Sequence, residues 1–354
     1  MKKKKLRSKD WFDNPKDPGL TALYLERYLN YGLTRKDLQS GKPIIGIAQS
    51  GSDLSPCNRH FLKLSEHIRR GIKEAGGVPM EFPTHPIQET GKRPTAALDR
   101  NLSYLSLVEV LYGYPLDGVV LTTGCDKTTP AALMAAATVN IPAIVLSGGP
   151  MLDGHYKGKK AGSGTIIWEA RKLYSKGEIN YDEFMDMATA SSPSEGHCNT
   201  MGTASTMNSI AEALGMSLPG SAIIPAPYPE RKIVSYKTGK RIVEMVNENL
   251  TPSKIMTKKA FENAVVVASA IGGSSNATTH LIAIAKQMGI KFDLTNWQKL
   301  GHKIPLLVNC QPAGEHLMEG FYRAGGVPGV MKELIKKKKL NSKVMTVTGK
   351  KLGE

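Results

Sequence analysis

Residues 118–139 read Gly-Val-Val-Leu-Thr-Thr-Gly-Cys-Asp-Lys-Thr-Thr-Pro-Ala-Ala-Leu-Met-Ala-Ala-Ala-Thr-Val, and this order decides the fold. The β-branched run Gly118 to Thr122 has the length and composition of a buried strand. The loop Thr123-Gly124-Cys125-Asp126-Lys127 follows it. A helix is expected from about Thr129 to Val139, with Pro130 in the first turn, where its missing N–H costs nothing. The same strand, loop and helix recur upstream: Pro43 to Ala48, then Gln49 to Asn58, then Arg59 to Ala75 closed by Gly76-Gly77. Further strands are expected near Met80 to Phe82 and over Pro142 to Leu146, the latter running into Ser147-Gly148-Gly149. Asn263 to Ala270 also reads as a strand, ahead of Gly272-Gly273-Ser274-Ser275-Asn276 and a helix to about Met288. Strands alternating with helices at this spacing predict an α/β fold with a parallel, doubly wound sheet flanked by helices.

Composition bounds the answer. The chain has 354 residues, 41% hydrophobic and 22% charged, enough apolar material for a large core and too much for a disordered or disulfide-stapled protein. Residues 1–40 read as an N-terminal arm and helix, and 41–354 as the α/β domain. The net charge of +16 is concentrated at the ends, where Lys2 to Lys5 begin the chain and eight lysines lie within 332–354. Neither run is interleaved with aromatic residues that could stack on bases, so nucleic acid is not an expected partner. No apolar run approaches the ~18 residues that a bilayer requires, so no membrane association is expected. Asp10, Trp11, Phe12, Asp13 and Asn14 stand where a secretory apolar core would follow the lysines. Four cysteines without such a leader point to a reducing, cytoplasmic setting, where thiols bind metals or stay free.

In parallel sheets, ligands collect at the carboxyl ends of strands, against helix N-termini. Cys57, Cys125 and Cys198 each lie in a polar loop just ahead of an expected helix, a position that favours thiolate. Cys310, in Val-Asn-Cys-Gln-Pro, lacks that context, and no two cysteines form a C-x-x-C pair. One such cysteine alone reads better as a buried free thiol than as a ligand. Three together suggest a shared soft-metal site. Three thiolates without a fourth would leave one iron of an iron–sulfur cluster open as a Lewis acid. Asp126 could hold a hard cation such as magnesium or simply cap a helix. Lys127 is a cation at a helix N-terminus, which is unfavourable unless it meets an anion or its amine is modified. Glu89, in a loop that follows a strand, reads on its own as a surface carboxylate. The Gly272 to Asn276 loop does not match the dinucleotide fingerprint.

These segments, in this order, resemble the dihydroxy-acid dehydratase and phosphogluconate dehydratase family. The resemblance is carried by the Cys57 segment, Thr-Thr-Gly-Cys125-Asp126-Lys127-Thr-Thr-Pro-Ala, Leu-Ser-Gly-Gly-Pro at 146–150, Gly-His-Cys198-Asn-Thr-Met-Gly-Thr-Ala, and Ala-Ile-Gly-Gly-Ser-Ser-Asn-Ala. It runs from about Trp11 onward. The segment around Glu89, Glu-Phe-Pro-Thr-His-Pro-Ile-Gln-Glu-Thr-Gly-Lys-Arg-Pro, is similar to the sugar-acid (aldonate and pentonate) branch, as are Trp11 to Pro15 and Tyr24 to Leu33.

The resemblance implies that Cys57, Cys125 and Cys198 hold an iron–sulfur cluster, of the 2Fe-2S rather than the 4Fe-4S type. It implies that Glu89, Asp126 and Lys127 bind magnesium, with Lys127 carbamylated. The implied reaction removes water from a 2,3-dihydroxy acid, an aldonate sugar acid, to give a 2-keto-3-deoxy acid, both metals acting as Lewis acids. Family members carry a second, β-rich domain with a further magnesium-binding Glu and the serine that takes the carbon-2 proton. The chain is therefore expected to be the cluster-binding part, with that C-terminal domain absent. No catalytic base is assigned within it. Expected partners are a small-molecule sugar acid or dihydroxy acid and either a homo-oligomer or a complementing C-terminal half. Ile304, Leu306 and Leu307 are expected near an exposed interface. Two other readings stand beside this one: a dihydroxy-acid dehydratase of branched-chain amino-acid synthesis, and a non-catalytic remnant.

Overall fold

The computed structural model describes residues 6–30, 32–88, 91 and 96–354. Three short helices come first: α1 (Lys9–Phe12), α2 (Pro18–Leu29) and α3 (Arg35–Gln39). They are fastened to the main core rather than standing apart, with Phe12 and Leu38 buried in it. Asp117 makes the joint, accepting from Ser8 Oγ at 2.7 Å and from the Ile44 amide at 2.8 Å.

The α/β unit follows as β1 (Ile44–Gln49), α4 (Phe61–Glu74), β2 (Val78–Pro83), α5 (Ala96–Gly113), β3 (Gly118–Thr123), α6 (Thr128–Val139) and β4 (Ala143–Ser147). The strands pair in the order β2-β1-β3-β4, all parallel. β1, β3 and β4 are buried along their whole length, as a sheet covered on both faces requires. Their continuous Ile/Val/Leu runs reflect that double burial. The expected strand and helix bounds in this half agree with the observed ones to within about two residues, the uncertainty of any boundary assignment.

Beyond β4 the chain adds a small hairpin, β5 (Gly154–Tyr156) and β6 (Lys159–Ala161), and the helices α7 (Thr165–Ser175) and α8 (Tyr181–Thr189). Then come α9 (Thr203–Ala213), α10 (Pro229–Glu248), α11 (Pro252–Ile255), α12 (Lys258–Ala270), α13 (Asn276–Gln287), α14 (Leu294–Gly301), α15 (Met318–Arg323) and α16 (Gly326–Lys336). α10 crosses α4 at two glycines, Gly71 and Gly239. A Cβ on Gly71 would meet the Tyr236 carbonyl, and one on Gly239 the Ile68 carbonyl. Small residues let the two backbones touch there.

One expectation is corrected. Asn263 to Ala270 is not a strand but the second half of α12. Its residues are buried on almost every side, in contact with the main core and with a second cluster around Ile271, Val308 and Phe321. An all-round apolar run lacks the one-sided periodicity that marks a helix, so spacing alone reads it equally as a strand. The Gly272 to Asn276 loop therefore joins two helices. Leu306 and Leu307 are exposed as expected, whereas Ile304 is half-buried against the second cluster. Among the described residues no helix is long and apolar enough to cross a membrane.

Candidate functional site

From β1 the chain passes by α4 to β2 on one side, and from β3 it passes by α6 to β4 on the other. Right-handed crossovers place those two helices on opposite faces, so the loops leaving β1 and β3 diverge. The crevice between them is the topological switch point of the sheet, where open α/β folds bind ligands. Cys57 sits in a single 3-10 turn, Pro56–Asn58, after β1, and Cys125 lies two residues beyond β3. A third loop comes alongside by bridging to the one after β4. The His197 amide donates to Gly149 O at 3.0 Å, and the Met151 amide to His197 O at 2.9 Å. That places Cys198 at the same end of the sheet.

The three loops bring Cys57 and Cys125 into hydrogen-bond contact and Cys198 within electrostatic reach of both. The Cys57 thiol is held well above the ordinary range, first by a hydrogen bond with Cys125, then by burial and by the negative charges of Cys125, Cys198 and Asp126. The Cys198 thiol is pushed up to about 11 by burial, then by Asp126 and Cys125, against a hydrogen bond with Ser163. This reverses the expectation that helix ends would favour thiolate here. Desolvation and mutual repulsion exceed the half-charge of a helix terminus. Asp126 thus lies within electrostatic reach of two of the cysteines. Lys127, 5% exposed, occupies the N-cap position of α6 without a side-chain capping bond, so Asp126 is not the cap. The helix start is closed instead by Thr128, whose hydroxyl accepts from the Gly124 amide at 3.1 Å and donates to Cys125 O at 2.8 Å. Glu89 lies outside the described residues. Cys310 is elsewhere, buried, with its thiol donating to Leu317 O at 3.9 Å.

Residues that the sequence gave no reason to single out tie these loops to one another. Asn58 Oδ1 accepts from the Cys125 amide at 3.0 Å. Asn208, on α9, donates to Gly124 O at 3.1 Å and to Ala204 O at 3.0 Å, and its oxygen accepts from the hydroxyls of Thr123 and Thr129. Ser205 Oγ donates to Cys198 O at 3.3 Å. Beneath them, the fully buried Arg231 donates to Ser147 O at 2.6 Å, to Ser221 O at 2.9 Å and to Ile224 O. His60 Nε2 lies 2.9 Å from Gly148 O, and burial lowers the pKa of this imidazole to about 4, so it is neutral and donates. His197 is likewise held neutral by burial, at about 3. Adjacency was the one signal available for Asn58, which directly follows Cys57. Arg231 lies far along the chain in a charged helix and carries no local signal.

Two grooves lie away from this site. One, about 470 Å³, lines the β2 edge with Tyr28, Arg69, Phe82 and Tyr114. The other, about 690 Å³, opens beside Leu307, Cys310, His316 and Phe321. The three cysteine-bearing loops at the switch point, with Asp126 in electrostatic reach of Cys57 and Cys198, are the stronger chemical signal.

Residues 42–354 match the family described as dihydroxy-acid/6-phosphogluconate dehydratase N-terminal. A D-xylonate dehydratase from Caulobacter vibrioides is 60% identical over 351 residues, covering 99% of this chain and 59% of the relative. An L-arabinonate dehydratase from Rhizobium leguminosarum is 46% identical over 354 residues, covering 99% of this chain and 61% of the relative. A dihydroxy-acid dehydratase from Halothermothrix orenii is 40% identical over 328 residues, covering 91% of this chain and 59% of the relative. The chain spans about three fifths of the length of these relatives.

Proposed function

The chain belongs to the dihydroxy-acid/6-phosphogluconate dehydratase family, and from that premise we propose that it supplies the metal-binding part of a sugar-acid hydro-lyase. The substrate class is an aldonate, with a pentonate such as D-xylonate first, by similarity to the Caulobacter vibrioides relative. The observation that carries the reading is the meeting of the Cys57, Cys125 and Cys198 loops, with Cys57 hydrogen-bonded to Cys125 and Cys198 within reach of its charge.

The donor chemistry fits an iron–sulfur cluster, and the resemblance to the sugar-acid branch implies the 2Fe-2S type. Buried sulfurs that repel one another when ionised need bound positive charge to coexist as thiolates. Among the described residues no three His, Cys, Asp or Glu side chains converge as a single-ion site would require. A cluster divides its thiolates between iron atoms and does not need such a point. When bound, the cluster and a magnesium ion supply Lewis acidity at a substrate hydroxyl and carboxylate.

The chain's own residues do the holding. Cys57, Cys125 and Cys198 bind the cluster, while Asp126, Lys127 and Glu89 bind magnesium. Lys127 is nearly buried at the start of α6, where an ammonium opposes the helix dipole. Carbamylation of its amine replaces that cation by an anionic oxygen donor. Asn58, Asn208 and Arg231 fix the loops. The residue that removes the carbon-2 proton is not among those assigned, and a complementing half or a second copy is the expected partner. The exposed Leu306 and Leu307, next to the 690 Å³ groove, support such a contact. Free cysteines throughout support a cytoplasmic setting.

The test is anaerobic reconstitution with iron and sulfide, followed by iron analysis and Mössbauer spectroscopy. D-Xylonate and other aldonates are then assayed with the chain alone and with the remaining part of a D-xylonate dehydratase supplied. Bound iron of 2Fe-2S type, and keto-acid formation in the supplemented mixture, are expected. A wild-type chain that takes up no iron overturns the reading.

A further inference from the structure

We propose that Asn58 is a positioning residue of the sulfur site that acts through both ends of its carboxamide, the oxygen holding the Cys125 loop and the nitrogen donating to a sulfur of the bound cluster. The inference rests on the reading of Cys57, Cys125 and Cys198 as an iron–sulfur site.

Asn58 is fully buried and directly follows Cys57. Its orientation is fixed by chemistry, because the Cys125 amide it meets at 3.0 Å is a donor and must face the carboxamide oxygen. The side chain also lies against Gly124, where a Cβ would collide with Oδ1. One residue therefore couples two ligand-bearing loops that are 67 positions apart. The other end of the carboxamide is Nδ2, which has no hydrogen-bond partner among the described residues. Buried amide donors are nearly always satisfied, because leaving one unpaired forfeits its hydration for nothing. Asn58 is the chain neighbour of Cys57 and packs on the Gly124–Cys125 backbone, so the acceptor assigned to this donor is a thiolate or a bridging sulfide. Amide N–H groups directed at cluster sulfurs stabilise the more negative, reduced state and so raise its potential.

Two substitutions separate the two ends. Asn58→Asp keeps an oxygen for the Cys125 amide and removes the donor. Asn58→Leu keeps the bulk and removes both. After reconstitution, the Asp variant is expected to bind iron but to show a more negative midpoint potential and an altered visible circular dichroism spectrum. The Leu variant is expected to lose iron affinity by about tenfold or more. It is also expected to lose cross-linking of Cys57 to Cys125 by dibromobimane in the cluster-free protein. An Asp variant with wild-type potential and spectrum overturns the nitrogen's role. A Leu variant that cross-links and loads like wild type overturns the oxygen's. Should the Leu variant not fold, as far-ultraviolet dichroism would show, the Asp variant decides alone. A wild-type chain that binds no iron, with cross-linking still dependent on Asn58, counts against the cluster reading and not against the clasp.

Discussion

Asn208 Nδ2 donates to the carbonyl of Gly124 at 3.1 Å, so the helix that starts just after the Cys198 loop grips the backbone immediately before Cys125. The oxygen of the same side chain takes the hydroxyls of Thr123 and Thr129. All of these groups are buried. Asn208→Leu preserves bulk but strands several polar atoms, and it is expected to cost about 3 kcal/mol of unfolding free energy. Urea unfolding measures this directly. A loss below about 0.5 kcal/mol, the scatter of an ordinary surface substitution, would show that the clasp contributes nothing.

The cysteines make a separable prediction. Serine at 57, 125 or 198 is expected to abolish the visible absorption of the reconstituted chain. Serine at 310 is expected to leave it intact, because Cys310 bonds to Leu317 O in another part of the fold. Iron and acid-labile sulfide analysis of the four variants checks this. Loss of colour in the Cys310 variant, or its retention in any of the other three, would contradict the assignment.

The parallel sheet and the placement of the cysteines at strand ends were legible because both are local. Gly118 to Val139 and Pro43 to Ala75 each carry strand, loop and helix in sequence, and the topology does the rest. Asn263 to Ala270 was misread because burial on every side erases periodicity. The raised Cys198 pKa was not legible for a related reason. A helix terminus is visible in sequence, whereas burial and the charges of Asp126 and Cys125 on Cys198 exist only after folding. Arg231, which links the loops after β4 and near Ser221, is invisible for the same reason.

Gly239 offers a test of the packing that supports the sheet. A methyl group there would press on the Ile68 carbonyl across the α4–α10 contact. Backbone cannot yield as a side chain does, so Gly239→Ala is expected to destabilise by about 3 kcal/mol despite the better helix propensity of alanine. Thermal unfolding monitored by circular dichroism reads the effect. A melting temperature at or above that of wild type would mean the two helices can move apart freely.

Glu212, at the end of α9, supplies a prediction whose sign follows from linkage. Its oxygens accept from the Gly220 amide at 2.6 Å and the Ala222 amide at 2.9 Å. Burial nonetheless pushes its pKa from 4.5 up to about 7, against those two bonds and the charge of Arg231. Between these values the folded chain holds a proton that the unfolded chain has released. The stabilising contribution is therefore complete below the unfolded value and is lost as pH rises through the folded one. Glu212→Gln cannot titrate, and whatever constant offset it introduces by meeting one amide instead of two does not vary with pH. The stability of wild type relative to this variant is expected to fall by about 3 kcal/mol between roughly pH 4.5 and 7, and to be level on either side. Urea unfolding of both proteins at pH 5, 6, 7 and 8 gives the difference. A constant difference across that series would mean that Glu212 titrates normally in the fold, and that the loop from Gly220 to Ala222 is held by an ordinary carboxylate.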